Sequence, residues 1–336
     1  MYELDMKLQA TRPAVPASDH RRRWLQRRDY SDRWAVILAG GDGTRLLPLT
    51  RRITGDERPK QFCALTGRET LLEETRRRVR EVAPERNSLI VLTQTHEPYF
   101  KHQTDTVPPK NLLIQPFNRG TAPAIVYALI HVKDIAPQAI AGFFPSDHHF
   151  RNGQAFAAYV DQAYEHAKAC GEKVVLLGIA PEAPEEAYGW IEPGGRLRRG
   201  SGGDLFKVRR FWEKPSREAA VRLMEAGCLW NSFVMVGRVS AFLKLMRLAL
   251  PGLLAAFEAT SSAGKAIPQQ KEVAEVYGKI NSANFSHDVL SVSPSRLAVL
   301  PVEHAGWTDL GEPERVMSAF RDGFGCFSAR SLFDEA

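Results

Sequence analysis

Trp34-Ala35-Val36-Ile37-Leu38-Ala39-Gly40-Gly41-Asp42-Gly43-Thr44-Arg45 is an apolar run that passes directly into a glycine-rich turn. Residues 34–38 read as a strand. Gly40, Gly41 and Gly43 let the chain turn tightly and bring its N–H groups against a ligand that a Cβ would exclude. Arg45 adds a planar fork of donors suited to non-bridging phosphate oxygens. The spacing is neither Gly-x-x-x-x-Gly-Lys-Ser/Thr nor Gly-x-Gly-x-x-Gly. Taken alone, the loop is satisfied equally by a polyphosphate cradle and by a plain strand-to-helix turn carrying a surface arginine.

Outward from this segment, short apolar runs alternate with amphipathic ones. Strands are expected at 34–38, 88–93, 111–115, 139–144 and 173–179, and helices at 70–82, 122–135 and 154–170. Such alternation predicts an α/β fold with a doubly wound, mostly parallel, Rossmann-like sheet covered on both faces. In such sheets ligands lie beyond the carboxyl ends of the strands, where both the glycine loop and Asp147 would fall. After residue 180 the pattern degrades into strands at 188–192, 207–212 and 233–237, read as an inserted lobe. Residues 239–260 read as helix and 261–285 as loop-rich. The expected division is an N-terminal extension over 1–33, a nucleotide-binding half over 34–180, a second half over 181–320 and a tail over 321–336.

The chain has 336 residues and a net charge of +6, half of which sits in residues 1–33. Arg21-Arg22-Arg23 and Arg27-Arg28 could touch RNA or an acidic membrane, yet the balance of the chain is only mildly basic, which argues against nucleic acid as the partner. No apolar run reaches membrane-spanning length and no secretory leader is read, so the expected location is the cytoplasm. Cys63, Cys170, Cys228 and Cys326 lack metal-ligand spacing and are expected to be thiols. His148-His149 does not suggest zinc, because adjacent side chains of an extended backbone diverge. A homo-oligomer is compatible with the sequence.

Five further motifs follow in order: Pro59-Lys60-Gln61-Phe62, Pro145-Ser146-Asp147-His148, Trp212-Glu213-Lys214-Pro215, Leu229-Trp230-Asn231-Ser232 and Gly306-Trp307-Thr308-Asp309-Leu310-Gly311. With the glycine loop they make the chain resemble the sugar-1-phosphate nucleotidyltransferases, and among them the bacterial mannose-1-phosphate guanylyltransferases, from about residue 34 to 314. The resemblance implies Mg²⁺-dependent transfer from GTP to mannose 1-phosphate. It assigns catalysis to Arg45, Lys60 and Asp147, and the metal to Asp147 and Asp309. It assigns the nucleotide to Leu38, Ala39, Gly40, Gly41, Asp42, Gly43, Thr44, Arg45, Lys60 and Thr121. The sugar phosphate falls to Tyr188, Gly189, Glu213, Lys214 and Asn231. A sugar-phosphate oxygen is already anionic at neutral pH, so the chemistry needs positioning and charge neutralisation rather than an activating base.

Where these relatives usually read Glu-Pro-x-x-Arg-Asn-Thr-Ala-Pro-Ala, this chain has Gln115-Pro116-Phe117-Asn118-Arg119-Gly120-Thr121-Ala122-Pro123-Ala124, and Ala187 replaces a glycine before Tyr188. Base choice is expected to rest near Gly41, Gln94 and residues 117–121, with GTP far ahead of UTP and dTTP and with ATP as the nearest competitor. Two other readings stay open: the same chemistry on another nucleotide or hexose phosphate, and a non-catalytic, nucleotide-sugar-sensing regulatory subunit.

Overall fold

The computed structural model describes residues 30–200, 203–261 and 270–324. The first 29 residues of the expected extension and the last 12 of the expected tail lie outside them. Strands β1 (Arg33–Leu38), β2 (Ser88–Thr93), β3 (Leu112–Gln115) and β4 (Ile140–Pro145) follow the expected periodicity closely. So do the helices Leu71–Val79, Thr121–Ile135 and Gly153–Cys170. After β5 (His149–Phe150) come β6 (Val174–Ile179), β7 (Gly189–Arg198), β8 (Leu205–Glu213), β9 (Leu229–Arg238), β10 (Leu297–Val302) and β11 (Trp307–Thr308). Nine of these form one mixed, mostly parallel sheet in the order β3-β2-β1-β4-β9-β6-β10-β8-β7, and β5 pairs with β11.

Each central strand sends alternate apolar side chains to opposite faces, and this sorts the core into two layers. Val36, Leu89, Val91, Ala141, Phe143, Leu176 and Val299 meet the helices Thr121–Ile135 and Val239–Ala249 on one face. Ala35, Ile37, Ile90, Leu92, Phe144, Leu177 and Leu300 meet the helices Leu71–Val79 and Gly153–Cys170 on the other. A third cluster, including Leu46, Leu49, Leu65, Leu310 and Val316, fastens the helix Pro313–Phe324 beside the helix Leu47–Thr54.

Several expectations are corrected. Arg33 is not part of an extension: it opens β1, is buried, and pairs with Asp161 at 2.8 Å and Glu165 at 2.9 Å, locking the strand to the helix Gly153–Cys170. The tail boundary after residue 320 falls inside the helix Pro313–Phe324. The long helix over 239–260 is two, Val239–Ala249 and Pro251–Ser261, because Pro251 cannot continue the backbone ladder. The loop-rich stretch contains the helix Gln270–Lys279. The second half is not a separate lobe by its strands, since β9 pairs between β4 and β6 and β10 pairs with β6. Cys63, Cys170 and Cys228 are free thiols; Cys326 lies outside the described residues.

Gly120 shows why a glycine replaces the usual asparagine. Its φ is 86°, and a Cβ built on it would lie 2.4 Å from the Ala283 carbonyl oxygen. Around it Ala122 N–H donates to Ala283 O at 3.1 Å and Ala283 N–H donates to Arg119 O at 3.0 Å. Gly120→Ala is therefore expected to cost about 1–3 kcal/mol, read as a lower urea midpoint with an unchanged slope. An unshifted midpoint would show that the two segments can part at no cost.

Candidate active site

A cleft of about 400 Å³ opens at the carboxyl ends of β1 and β4. It is lined by Leu38, Gly40, Gly41, Gly43, Arg45, Lys60, Thr121, Asp147, Tyr188, Gly189, Glu213, Lys214, Asn231 and Asp309. Fourteen residues singled out from sequence thus share one cavity although they span almost the whole chain. Ala39, Asp42 and Thr44 are not in its lining. Ala39 is core, its N–H donating to Val91 O at 2.8 Å. Asp42 turns outward, accepting from Asn118 Nδ2 at 2.9 Å and lying 3.2 Å from His96 Nε2, which keeps a carboxylate off the floor of the cradle. Thr44 is exposed in the short helical turn that follows.

The glycine loop is held by its carbonyls. Gln61 Nε2 donates to Ala39 O at 3.1 Å and to Gly41 O at 2.7 Å, and the Thr93 hydroxyl donates to Gly40 O at 2.9 Å. In a trans peptide the N–H points opposite the C=O, so these bonds turn the N–H groups of Gly41 and Asp42 away from Gln61 and Thr93. Gly40 is required by close approach, since a Cβ there would sit 2.4 Å from Gln115 Nε2. Thr121 reaches the cleft at the start of its helix, its hydroxyl accepting the Phe285 N–H at 2.8 Å.

Lys60 is buried, and its ammonium donates to Asp309 O at 2.7 Å and Leu310 O at 3.0 Å while facing Asp147 Oδ2 at 3.3 Å. All three of its donors are used. Arg45, by contrast, is exposed and parked on Glu312 at 3.0 Å. Burial works against the charge of Asp147, but Lys60 and His148 more than offset it and hold its pKa below the ordinary carboxylate value, against the repulsion of Asp309. Asp309 is likewise held low: burial opposes its charge, and His148, Arg315 and Lys60 overcome that. Burial pushes His148 down towards its neutral form.

On the opposite wall Gly189 pairs with Glu213 across β7 and β8. Tyr188 donates its hydroxyl to Asp309 Oδ1 at 3.1 Å, and its ring meets Trp230 edge-on at 5.1 Å. Burial raises the Glu213 carboxyl, with Lys214 and His287 acting in the other direction. Two residues here hold left-handed backbone unusual for side-chain-bearing residues: Lys214 at φ 46°, its N–H donating to Tyr188 O at 3.2 Å, and Phe233 at φ 59°, its N–H taken by Asn231 Oδ1 at 3.1 Å. Trp190 is fully buried, and Trp212 lies under the Arg210 guanidinium at 3.7 Å.

The sequence reading missed four residues. Gln61 and Thr93 grip the glycine loop, and the first lay inside a quoted motif without a role. Gln115, not Gln94, lines the cleft; Gln94 borders a separate groove with Glu97 and Phe100. Arg315 binds Asp309 Oδ1 at 2.7 Å and lies one residue past the end of the resemblance. Among the described residues no group of three or more His, Cys, Asp or Glu could hold a metal by itself. The donor set does fit a hard cation that takes one or two carboxylates plus phosphate oxygens and water. Lys60 claims Asp147 Oδ2, and the donors to Asp309 gather on Oδ1, which leaves the second oxygen of each less encumbered.

A glycine turn, two aspartates and a polar far wall thus line one cleft. The chain belongs to the nucleotidyl transferase family, whose pattern matches residues 34–323. It is 32% identical over 285 residues to the xanthan biosynthesis protein XanB of Xanthomonas campestris pv. campestris strain B100, covering 84% of this chain and 58% of that one. It is 30% identical over 284 residues to the mannose-1-phosphate guanylyltransferase of Escherichia coli K12, covering 83% of this chain and 58% of that one. The chain therefore spans a little over half the length of these curated relatives. A solved structure from Thermus thermophilus, described as a mannose-1-phosphate geranyltransferase, superposes with a TM-score of 0.73 at 28% identity, covering 85% of this chain and 79% of that one.

Two outcomes are expected. Lys60→Ala leaves two carbonyls and a carboxylate without their donor, so it should lower stability by about 1–3 kcal/mol, the exposure of Asp147 softening the loss. Glu312→Gln frees Arg45 from an exposed pair of the kind worth at most about 1 kcal/mol, so binding of inorganic triphosphate, used as a probe of the cleft, should tighten by up to about fivefold. An unchanged affinity would mean Arg45 is not held back by Glu312.

Proposed function

We propose that the chain transfers a guanylyl group from GTP to mannose 1-phosphate. An oxygen of the sugar phosphate attacks the α-phosphorus, the bond from that phosphorus to the β-phosphate bridge oxygen breaks, and pyrophosphate leaves as GDP-mannose forms. What carries this reading is the shared cleft: a glycine cradle with Arg45, Lys60 and Asp147 on one side faces Glu213, Lys214 and Asn231 on the other, with Asp309 between them. A sensing subunit would not need both half-sites. The mannose-1-phosphate guanylyltransferases among the relatives support the choice of sugar and base.

In this mechanism the loop amides and Arg45 bind the triphosphate, and Lys60 neutralises charge building on the transferring group. Lys214 would grip the acceptor's phosphate, while Glu213, Asn231 and Tyr188 read its hydroxyls. Asp147 and Asp309 would hold Mg²⁺, which when bound supplies Lewis-acid polarisation of the phosphates. Among the described residues no helix is long and apolar enough to cross a membrane, and we take the cytoplasm, where nucleoside triphosphates are supplied, as the site of action.

A second reading, transfer from UTP or dTTP, is favoured by Gln115. Its Oε1 accepts the Tyr277 hydroxyl at 2.8 Å, and its Nε2 donates to Thr93 Oγ1 at 3.3 Å. With the acceptor oxygen engaged, the amide offers the cleft an N–H donor. Aimed at the O6 of guanine or the O4 of uracil or thymine, such a donor finds an acceptor, whereas adenine and cytosine present an amino group at the corresponding position. ATP, the competitor expected from sequence, is thus displaced by UTP.

The decisive measurement is pyrophosphate release over a matrix of nucleoside triphosphates and hexose 1-phosphates. GTP with mannose 1-phosphate should lead and exceed ATP by more than about a hundredfold. Leadership by UTP or dTTP would replace the first reading with the second. Chelation of divalent metal should abolish turnover, and Asp147→Asn should lower it by at least about a hundredfold. Full activity under chelation would remove the metal from the mechanism.

A further inference from the structure

Arg315 belongs to none of the motifs that make up the site, yet it touches both halves of it. Its Nη1 donates to Asp309 Oδ1 at 2.7 Å, its Nη2 donates to Glu185 Oε2 at 2.6 Å, and its guanidinium lies 4.6 Å over the Tyr188 ring. The same Asp309 oxygen also accepts the Tyr188 hydroxyl at 3.1 Å and the Gly311 N–H at 2.9 Å. Glu185 is itself fixed, its Oε1 accepting the Ala187 N–H at 3.0 Å and its carbonyl accepting Trp190 Nε1–H at 2.8 Å. Arg315 is supplied by the helix Pro313–Phe324, whose Val316 and Ala319 are packed into the third core cluster.

We propose that Arg315 is a positioning residue: by spanning Asp309 and Glu185 it fixes the Asp309 carboxylate in one orientation, Oδ1 committed to protein donors and Oδ2 left for the cleft, and ties that orientation to Tyr188 on the acceptor wall. The geometry requires a planar, forked cation, because one group must serve two carboxylates at 2.6–2.7 Å while its face covers an aromatic ring. A lysine carries the charge but not the fork. Charge balance alone would be met by either.

The inference rests on the transferase reading above, and the experiment separates the two. Turnover and melting temperature are measured for the wild type, Arg315→Lys, Arg315→Met, Asp309→Asn and the two double variants, with magnesium present and the leading substrate pair of the matrix. A wild type without metal-dependent turnover would defeat the transferase reading itself. With an active wild type, Arg315→Met should lower kcat by about tenfold or more with the sugar-phosphate KM within about twofold, and Arg315→Lys should recover only a small part of the loss. If Arg315 acts through Asp309, either substitution should cost almost nothing further in turnover once Asp309 is asparagine. Melting should show partial coupling, since Glu185 still loses its partner when Asp309 is asparagine. Equal losses in both backgrounds, or full rescue by lysine, would overturn the proposal. So would coupling in melting without coupling in turnover, which is the mark of a pair that only holds the fold. Should Arg315→Met fail to fold, Arg315→Lys alone completes the cycle.

Discussion

The ammonium of Lys60 joins three parts of the chain, two of which also meet where β5 pairs with β11. It sits in a short helical turn after the glycine loop, yet its donors go to the carbonyls of Asp309 and Leu310 and to the carboxylate of Asp147. Leu310 holds a left-handed backbone at φ 49°, and its side chain is buried in the cluster that seats the helix Pro313–Phe324. A residue so strained persists only when its surroundings over-determine it. Lys60 supplies part of that determination and the apolar cluster the rest. The two aspartates therefore line one cleft because the pairing of β5 with β11 brings their segments together and Lys60 with the apolar cluster holds the turn after β11.

Three cations at or beside the cleft are held by protein acids. Arg45 is parked on Glu312, Lys60 faces Asp147 and Arg315 bridges Asp309 and Glu185. These pairs differ in how readily they part. The first is exposed on both sides and screened by water, so an incoming phosphate can take the arginine at little cost. The other two are largely buried, and separating them would strand a charge. In the proposed reaction Arg45 would act as a movable clamp, while Lys60 and Arg315 belong to the frame. A group already in place when charge shifts onto the transferring phosphate contributes more than one that must first be pulled free.

The sheet was legible because its strands obey two simple rules, unbroken apolar runs and alternation with amphipathic helices, and the register followed to within a residue for β1, β2 and β4. The second half was harder to read. β9 returns antiparallel between two parallel strands, and nothing in its local sequence distinguishes that position from an edge. Most of the residues that line the cleft were legible through motifs, whereas the residues that hold them were not. Gln61 and Thr93 act on backbone carbonyls, and Arg315 acts on a side chain six positions earlier. Such roles depend on where an unrelated segment passes, which composition and spacing do not encode.

The departure at Gly120 shows how a motif can change without the wall it builds being lost. Residues 283–285 run against 119–122 closely enough for two backbone bonds, and the Phe285 N–H donates to the Thr121 hydroxyl at 2.8 Å. A side chain at position 120 would collide with that segment, so glycine is the condition for the close approach. Asn284 and Ser286 from the approaching segment then reach the same cleft as Gln115. This part of the cleft is consequently built by two distant segments together with one glutamine whose amide is oriented by Tyr277. What such a wall offers a ligand depends on which donors and acceptors the contact between the two segments leaves over, and a motif read along one segment does not contain the other.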